Sequence, residues 1–113
     1  MPSGKEVRST QRRVRTFMVI VTDVAGTPTV ATEGATEISS VDDDGVGIFT
    51  LNFSEAFIRA PQAIVTTREL NLKGSESTAA LGSIQIKLET LAAVAADGDC
   101  NILIWGYDSA DRI

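Results

Sequence analysis

The feature that most constrains this chain is an alternation of apolar and polar residues with a period of two. Between Ser83 and Glu89 it sets Ile84, Ile86 and Leu88 on one side and Gln85, Lys87 and Glu89 on the other. Successive side chains of a strand point to opposite faces, so this pattern predicts a strand with one buried face. Residues 47 to 53 repeat it, with Phe49, Leu51 and Phe53 opposed to Ile48, Thr50 and Asn52. Residues 99 to 107 predict a closing strand with Ile102 and Ile104 on one face and Leu103, Trp105 and Tyr107 on the other. Either set is large enough to fill a core, and the sequence leaves the choice open.

Two further runs are rich in β-branched residues, Val14 to Val24 and Ala63 to Leu70. The first reads as a strand buried on both faces, because Phe17, Val19 and Val21 alternate with Met18 and Ile20. Gly26 and Pro28 mark a turn, and residues 27 to 40 read as a short edge strand with loops. Asp42-Asp43-Asp44-Gly45 and Gly74-Ser75-Glu76-Ser77 have the composition of a turn and a loop. The run Leu91 to Ala96 before Asp97-Gly98 suggests one or two helical turns with a glycine cap, too short for an independent helix. Six strands spaced by turns in 113 residues predict an all-β chain folded as one small antiparallel sandwich.

Charge divides the chain differently. Residues 1 to 15 carry Lys5, Arg8, Arg12, Arg13 and Arg15 against Glu6 alone, a net +4. Residues 16 to 113 carry five basic and fourteen acidic groups, a net −9, and the two parts together give the overall −5. The expected organisation is therefore an extended basic arm over 1 to 15 and a sandwich domain over 16 to 113. Lys5, Arg8, Arg12, Arg13 and Arg15 become the candidate partner-binding residues, suited to an acidic protein surface. Nucleic acid is the weaker partner for them, since no aromatic residue before Phe17 is available to stack on bases and the acidic body repels phosphates.

The apolar stretch after the arm, Phe17 to Val21, is shorter than the roughly 7–15 residues of a signal-peptide core, so secretion is not expected. The longest apolar run is six residues, Leu91 to Ala96, against the roughly 20 of a membrane-spanning helix. A lone Cys100 agrees with an intracellular assembly site, where disulfides are not used.

Little here points to catalysis. There is no His, so imidazole acid–base chemistry and His metal sites are excluded, and one Cys excludes paired-thiolate zinc motifs. Ser54, Ser109 and Cys100 have no base to activate them. The contiguous acids of Asp42 to Asp44 lack the alternating spacing of a calcium loop, and Leu51 stands where its bidentate acid belongs. Asp97 and Asp99 read as turn residues, and Gly45-Val46-Gly47 lacks the remainder of a phosphate loop. The expectation is a non-enzymatic chain with no catalytic residue, metal or cofactor. Trp105 and Tyr107 are the candidate interface or ligand anchors, with core filling as the alternative.

Two stretches resemble small structural proteins of tailed-phage virions. The first is Gly47-Ile48-Phe49-Thr50-Leu51-Asn52-Phe53-Ser54-Glu55-Ala56-Phe57-Ile58-Arg59-Ala60-Pro61, followed by the Val/Thr-rich strand from Ala63. The second is the close of the chain, where an apolar strand runs into Gly106-Tyr107-Asp108-Ser109-Ala110-Asp111. The strand, Phe, Ala-Pro, strand order is also similar to the H-type lectin sandwich and its relatives on phage fibres. The resemblance implies a six-stranded sandwich, often a homotrimer, that decorates or cements a capsid. It would bind the major capsid protein or other virion proteins, be assembled in the host cytoplasm, and reside on the capsid surface, with no membrane partner. The alternative it implies is a receptor- or glycan-binding module of a head fibre or tail, with Trp105 and Tyr107 as the only aromatic candidates for a sugar site.

Overall fold

The computed structural model of the chain describes residues 13–24, 26–31 and 36–109. Among them lie eight strands: β1 (Arg13–Val24), β2 (Thr27–Val30), β3 (Ile38–Gly45), β4 (Ile48–Phe53), β5 (Gln62–Thr67), β6 (Leu72–Ala79), β7 (Ser83–Thr90) and β8 (Cys100–Ser109). They form two four-stranded sheets, ordered β2-β1-β8-β5 and β3-β4-β7-β6, in which every pairing is antiparallel. The inward residues of both sheets make one core: Val19 and Val21 of β1, Ile102 and Ile104 of β8, Phe49, Leu51 and Phe53 of β4, and Ile84, Ile86 and Leu88 of β7. Each large side chain removed from water here contributes about 1.5–3 kcal/mol. The open choice at β8 is thereby resolved: the two isoleucines fill the core, and Leu103, Trp105 and Tyr107 stand on the other face.

The strands number eight rather than six because both edge strands of the second sheet have polar sequences. Asp42 to Gly45 continues β3 instead of turning, and the turn comes one step later at Val46-Gly47. An edge strand can carry such acids, since its outward side chains meet only water and one neighbour. Here Asp42 accepts from Asn52 Nδ2 at 3.1 Å and Asp44 accepts from Gln85 Nε2 at 3.1 Å. Gly47 has a φ of +70°, and a Cβ there would lie 2.5 Å from the Leu88 carbonyl oxygen, so only glycine fits this turn. Likewise Gly74 to Ser77 lies inside β6, where Leu72 is the buried residue and Gly74 and Glu76 are half-buried.

The run Leu91 to Ala96 forms no helix. Ala93 takes a left-handed φ of 65°, Thr90 N donates to Val94 O at 2.8 Å, and Ala95 bridges back to Glu89. A helix this short cannot repay its nucleation, and a turn that returns the chain along β7 satisfies more of its backbone.

Phe57, in the connection after β4, completes the core and is 2% exposed. It stacks on Phe17 with centroids 6.3 Å apart and meets Phe53 edge-on at 5.1 Å. Ile58 N donates to Tyr107 O at 3.0 Å, fixing this connection to β8. Phe57 and Pro61 close over Gly106, where a Cβ would fall 2.8 Å from the phenyl ring and 3.1 Å from the proline ring.

Candidate functional site

The outer face of the first sheet is the least ordinary surface of the chain. Register places Met18 of β1, Leu103 of β8 and Ile64 of β5 in one row across three strands. They are 46%, 41% and 54% exposed. Residues 17 to 21 are thus not buried on both faces: Val19 and Val21 point into the core and Met18 points out of it. The reason is that only one face of this sheet has a second sheet against it.

The next row sets Trp105 between Thr16 and Gln62, and beyond it Tyr107 lies opposite Val14. On the other side, Asn101 lies between Ile20 and Thr66. No outward position of β1 from 14 to 22, of β8 from 101 to 107 or of β5 from 62 to 66 holds a charged residue, in a chain that is 22% charged. The outer side of the second sheet is the opposite, with Asp42, Asp44, Lys73, Lys87 and Glu89, and an ion pair of 3.7 Å between Lys73 and Glu89. The two outer faces thus differ in kind: one is uncharged with apolar side chains at its centre, the other is charged.

Trp105 and Tyr107 both belong to this face. Trp105 is half-buried between its neighbours and Tyr107 is exposed, so neither fills the core. With Val14, Arg59, Ala60, Gln62 and Gly106 they line a depression of about 260 Å³. The Arg59 guanidinium lies 5.9 Å from the centroid of the Tyr107 ring. The residues that sequence reading passed over are Met18, Ile64 and Leu103, together with Arg59 and Gln62. The signal for the first three was the presence of apolar residues at both parities in β1, β5 and β8.

The basic segment divides. Lys5, Arg8 and Arg12 lie outside the described residues, and Arg13 opens β1 opposite Ser109. β1 thus takes in Arg13, Val14 and Arg15, which the charge pattern assigns to the arm. Arg15 is part of the body: its side chain is 13% exposed and its guanidinium carbon sits 4.1 Å from the Phe57 ring centroid. Its Nη2 donates to the Glu55 carbonyl at 2.6 Å, and Glu37 and Glu55 carboxylates lie at 3.9 and 3.5 Å. Long cationic side chains cover apolar surface in this way, with the stem and the guanidinium plane on the rings and the donors at the rim.

At the other end of the sandwich Asp23, Asp43 and Asp97 line a crevice of about 10 Å³, room for about one water. Asp97 accepts from Gly47 N and Asp99 from Asp23 N, both at 2.8 Å, so these acids hold loop backbone. Burial pushes the Asp23 carboxyl above its ordinary value; Asp97, Asp99 and Asp43 push it the same way, against the Gly26 N–H it accepts. Among the described residues no three His, Cys, Asp or Glu side chains are grouped to hold a metal ion. Cys100 is fully buried, and burial first, then Asp99, pushes its thiol up to about 12, so it stays protonated at neutral pH. No described helix is long and apolar enough to cross a membrane. No protein-family model, curated protein or solved structure matches the chain.

Proposed function

We propose that this chain is a non-enzymatic structural protein of a tailed-phage virion, a decoration or cement protein that seats its sandwich on the major capsid shell. The observation that carries the reading is the meeting of the two stretches that resemble such proteins. Phe57 and Pro61 of the first pack directly over Gly106 of the second, although they are more than forty residues apart in sequence. The two stretches that carry the resemblance thus adjoin in the fold, which is what supports reading them together. The basic segment ahead of β1 supplies the attachment in this reading. Its Lys5, Arg8 and Arg12 stand on a chain whose remaining charge is strongly negative, and an acidic shell surface is their complement.

A second reading, a receptor- or glycan-binding module of a head fibre or tail, draws on the depression beside Trp105 and Tyr107, where an aromatic face lies next to Arg59 and Gln62. The two separate by stoichiometry in purified filled heads. Cement is present at about one copy per shell subunit or capsomer, and a fibre tip at a few copies per particle. Absence from washed particles overturns both. Deleting residues 2 to 12 should leave the body folded and abolish binding to bare shells; full-occupancy decoration by the truncated chain refutes the tether.

A further inference from the structure

We infer that the depression beside Trp105 and Tyr107 takes one terminal sugar unit that carries a carboxylate, a uronic acid rather than a neutral hexose. This rests on the glycan-binding reading above and narrows it to a ligand class. Two parts of the fold build the site. β8 supplies Trp105 and Tyr107, two residues apart and so on one face of the strand, with Val14 of β1 and Gln62 of β5 beside them. The connection between β4 and β5 supplies Arg59 and Ala60.

The cation is held in place by its neighbours in sequence. Phe57 and Pro61 on either side of it are buried, and Ile58 N donates to Tyr107 O at 3.0 Å. The short segment that carries Arg59 is thus pinned to the strand that carries the rings, and the guanidinium lies 5.9 Å from the Tyr107 ring centroid. Among the described residues no carboxylate pairs with Arg59, whereas Arg15 reaches Glu37 and Glu55, and Lys73 reaches Glu89. Arg59 is also the single charged side chain among those lining the depression, so its forked donors remain for a ligand.

Size and chemistry select that ligand. The depression measures about 260 Å³, below the roughly 300–1,000 Å³ of sites for drug-sized molecules, and suits one six-membered ring with its substituents. A pyranose presents C–H groups on its faces and hydroxyls around its edge. The faces lie on aromatic rings, and the Gln62 amide, which both donates and accepts, meets the edge. A carboxylate on the ring accepts two parallel N–H groups of a guanidinium, a match that a neutral hydroxymethyl group cannot make. One cation calls for one anionic group. A nucleotide brings a more highly charged phosphate, and a nucleic acid strand a run of them, to a body whose net charge from residue 16 onward is −9.

The test titrates the full chain with the methyl glycosides of glucuronic, galacturonic and mannuronic acid. Each is set against the neutral hexoside that differs only in having a hydroxymethyl group in place of the carboxylate. Trp105, the one tryptophan of the chain, reports binding by fluorescence, and saturation-transfer NMR on the sugar reports it independently. At least one uronide should bind about tenfold more tightly than its neutral counterpart at low salt, the worth of one charge-assisted contact. Most of that advantage should disappear in about 0.5 M salt. Arg59→Gln should bring the two dissociation constants together, and unchanged urea unfolding establishes that this exposed substitution leaves the chain folded. Arg68→Gln, an exposed cation beyond the opposite end of β5 from Gln62, should leave the preference intact. Neutral hexosides that bind as well as the uronides, or a preference that survives Arg59→Gln, overturn the inference and leave the glycan reading standing. Uridine monophosphate binding more tightly than every uronide overturns it in favour of a nucleotide. Failure of all these sugars to bind at millimolar concentration removes the glycan reading and the inference together.

Discussion

Replacing Gly106 with alanine adds one methyl group at the tightest point of the sandwich. Its carbon would stand 2.8 and 3.1 Å from two atoms of the Phe57 ring and 3.1 Å from Pro61 Cβ. Relaxed carbon contacts lie at about 3.5–4.0 Å, so the neighbours must retreat by roughly half an ångström or more. Phe57 has nowhere to go: it is 2% exposed, stacked on Phe17, edge-on to Phe53 and covered by the Arg15 guanidinium. Pro61 is fully buried as well. Overpacking of this kind costs about 1–3 kcal/mol. At this chain length each kcal/mol moves the melting temperature by about 4 °C, which predicts a fall of roughly 4–12 °C. Urea unfolding followed by Trp105 fluorescence measures the change, and a double-mutant cycle assigns its cause. Phe57→Leu alone removes ring contacts and destabilises, but combined with Gly106→Ala it makes room for the methyl group. The pair should therefore be less damaged than the sum of the single changes by about 1 kcal/mol. An unchanged stability for Gly106→Ala, or strict additivity in the cycle, would refute the packing argument.

Ile86→Ala, at the centre of β7 and fully buried, should cost about 2–5 kcal/mol in denaturant unfolding. Arg15→Gln should cost about 1–3 kcal/mol by losing the ring contact and a charged donor to the Glu55 carbonyl, and an unaltered melting temperature would return Arg15 to the arm. Cys100 gives a pH signature. Its folded thiol titrates near 12 against an ordinary 9.0, so its contribution to stability is complete below about 9 and is lost as pH rises towards 12. Cys100→Ala should flatten the alkaline limb of the stability profile, and thiol-reagent labelling of the native chain should proceed only as fast as the fold opens.

Legibility in the sequence tracked how cleanly each strand alternates between core and water. β4, β7 and β8 each have partners on both sides and one buried face, and their alternation gave inward residues that the structure keeps: Phe49, Leu51, Phe53, Ile84, Ile86 and Leu88. β3 and β6 have a partner on one side only, and their outward residues answer to water, so Asp42 to Asp44 and Gly74 to Ser77 carry turn-like compositions inside strands. Trp105 and Tyr107 were visible as candidates because large aromatic residues are few. The row they extend was not, since Met18, Ile64 and Leu103 are distant in sequence and become neighbours only through the β1–β8 and β5–β8 registers. Phe57 escaped for a related reason: it belongs to no strand, and its burial depends on an absent Cβ at Gly106. Arg15 looked like one more cation in a basic run, and only the rings beneath it distinguish it.

β1 also gives the molecule a mechanical direction. Its pairing with β8 runs from Arg13 opposite Ser109 to Val21 opposite Cys100, with the register broken once, between Arg13 and Val14. Tension drawn along the strand axis loads all of these pairs together in shear, with β2 sharing the strain over its pairs with Val21 to Val24 on the far side. Tension that lifts the start of β1 away from β8 instead falls on the Arg13 pair first, where the ladder is already interrupted. The break acts as a fuse: a sideways tug frees one residue of slack at the end of the strand before it reaches the Phe17 and Phe57 rings, whereas a lengthwise pull must rupture the sheet at once.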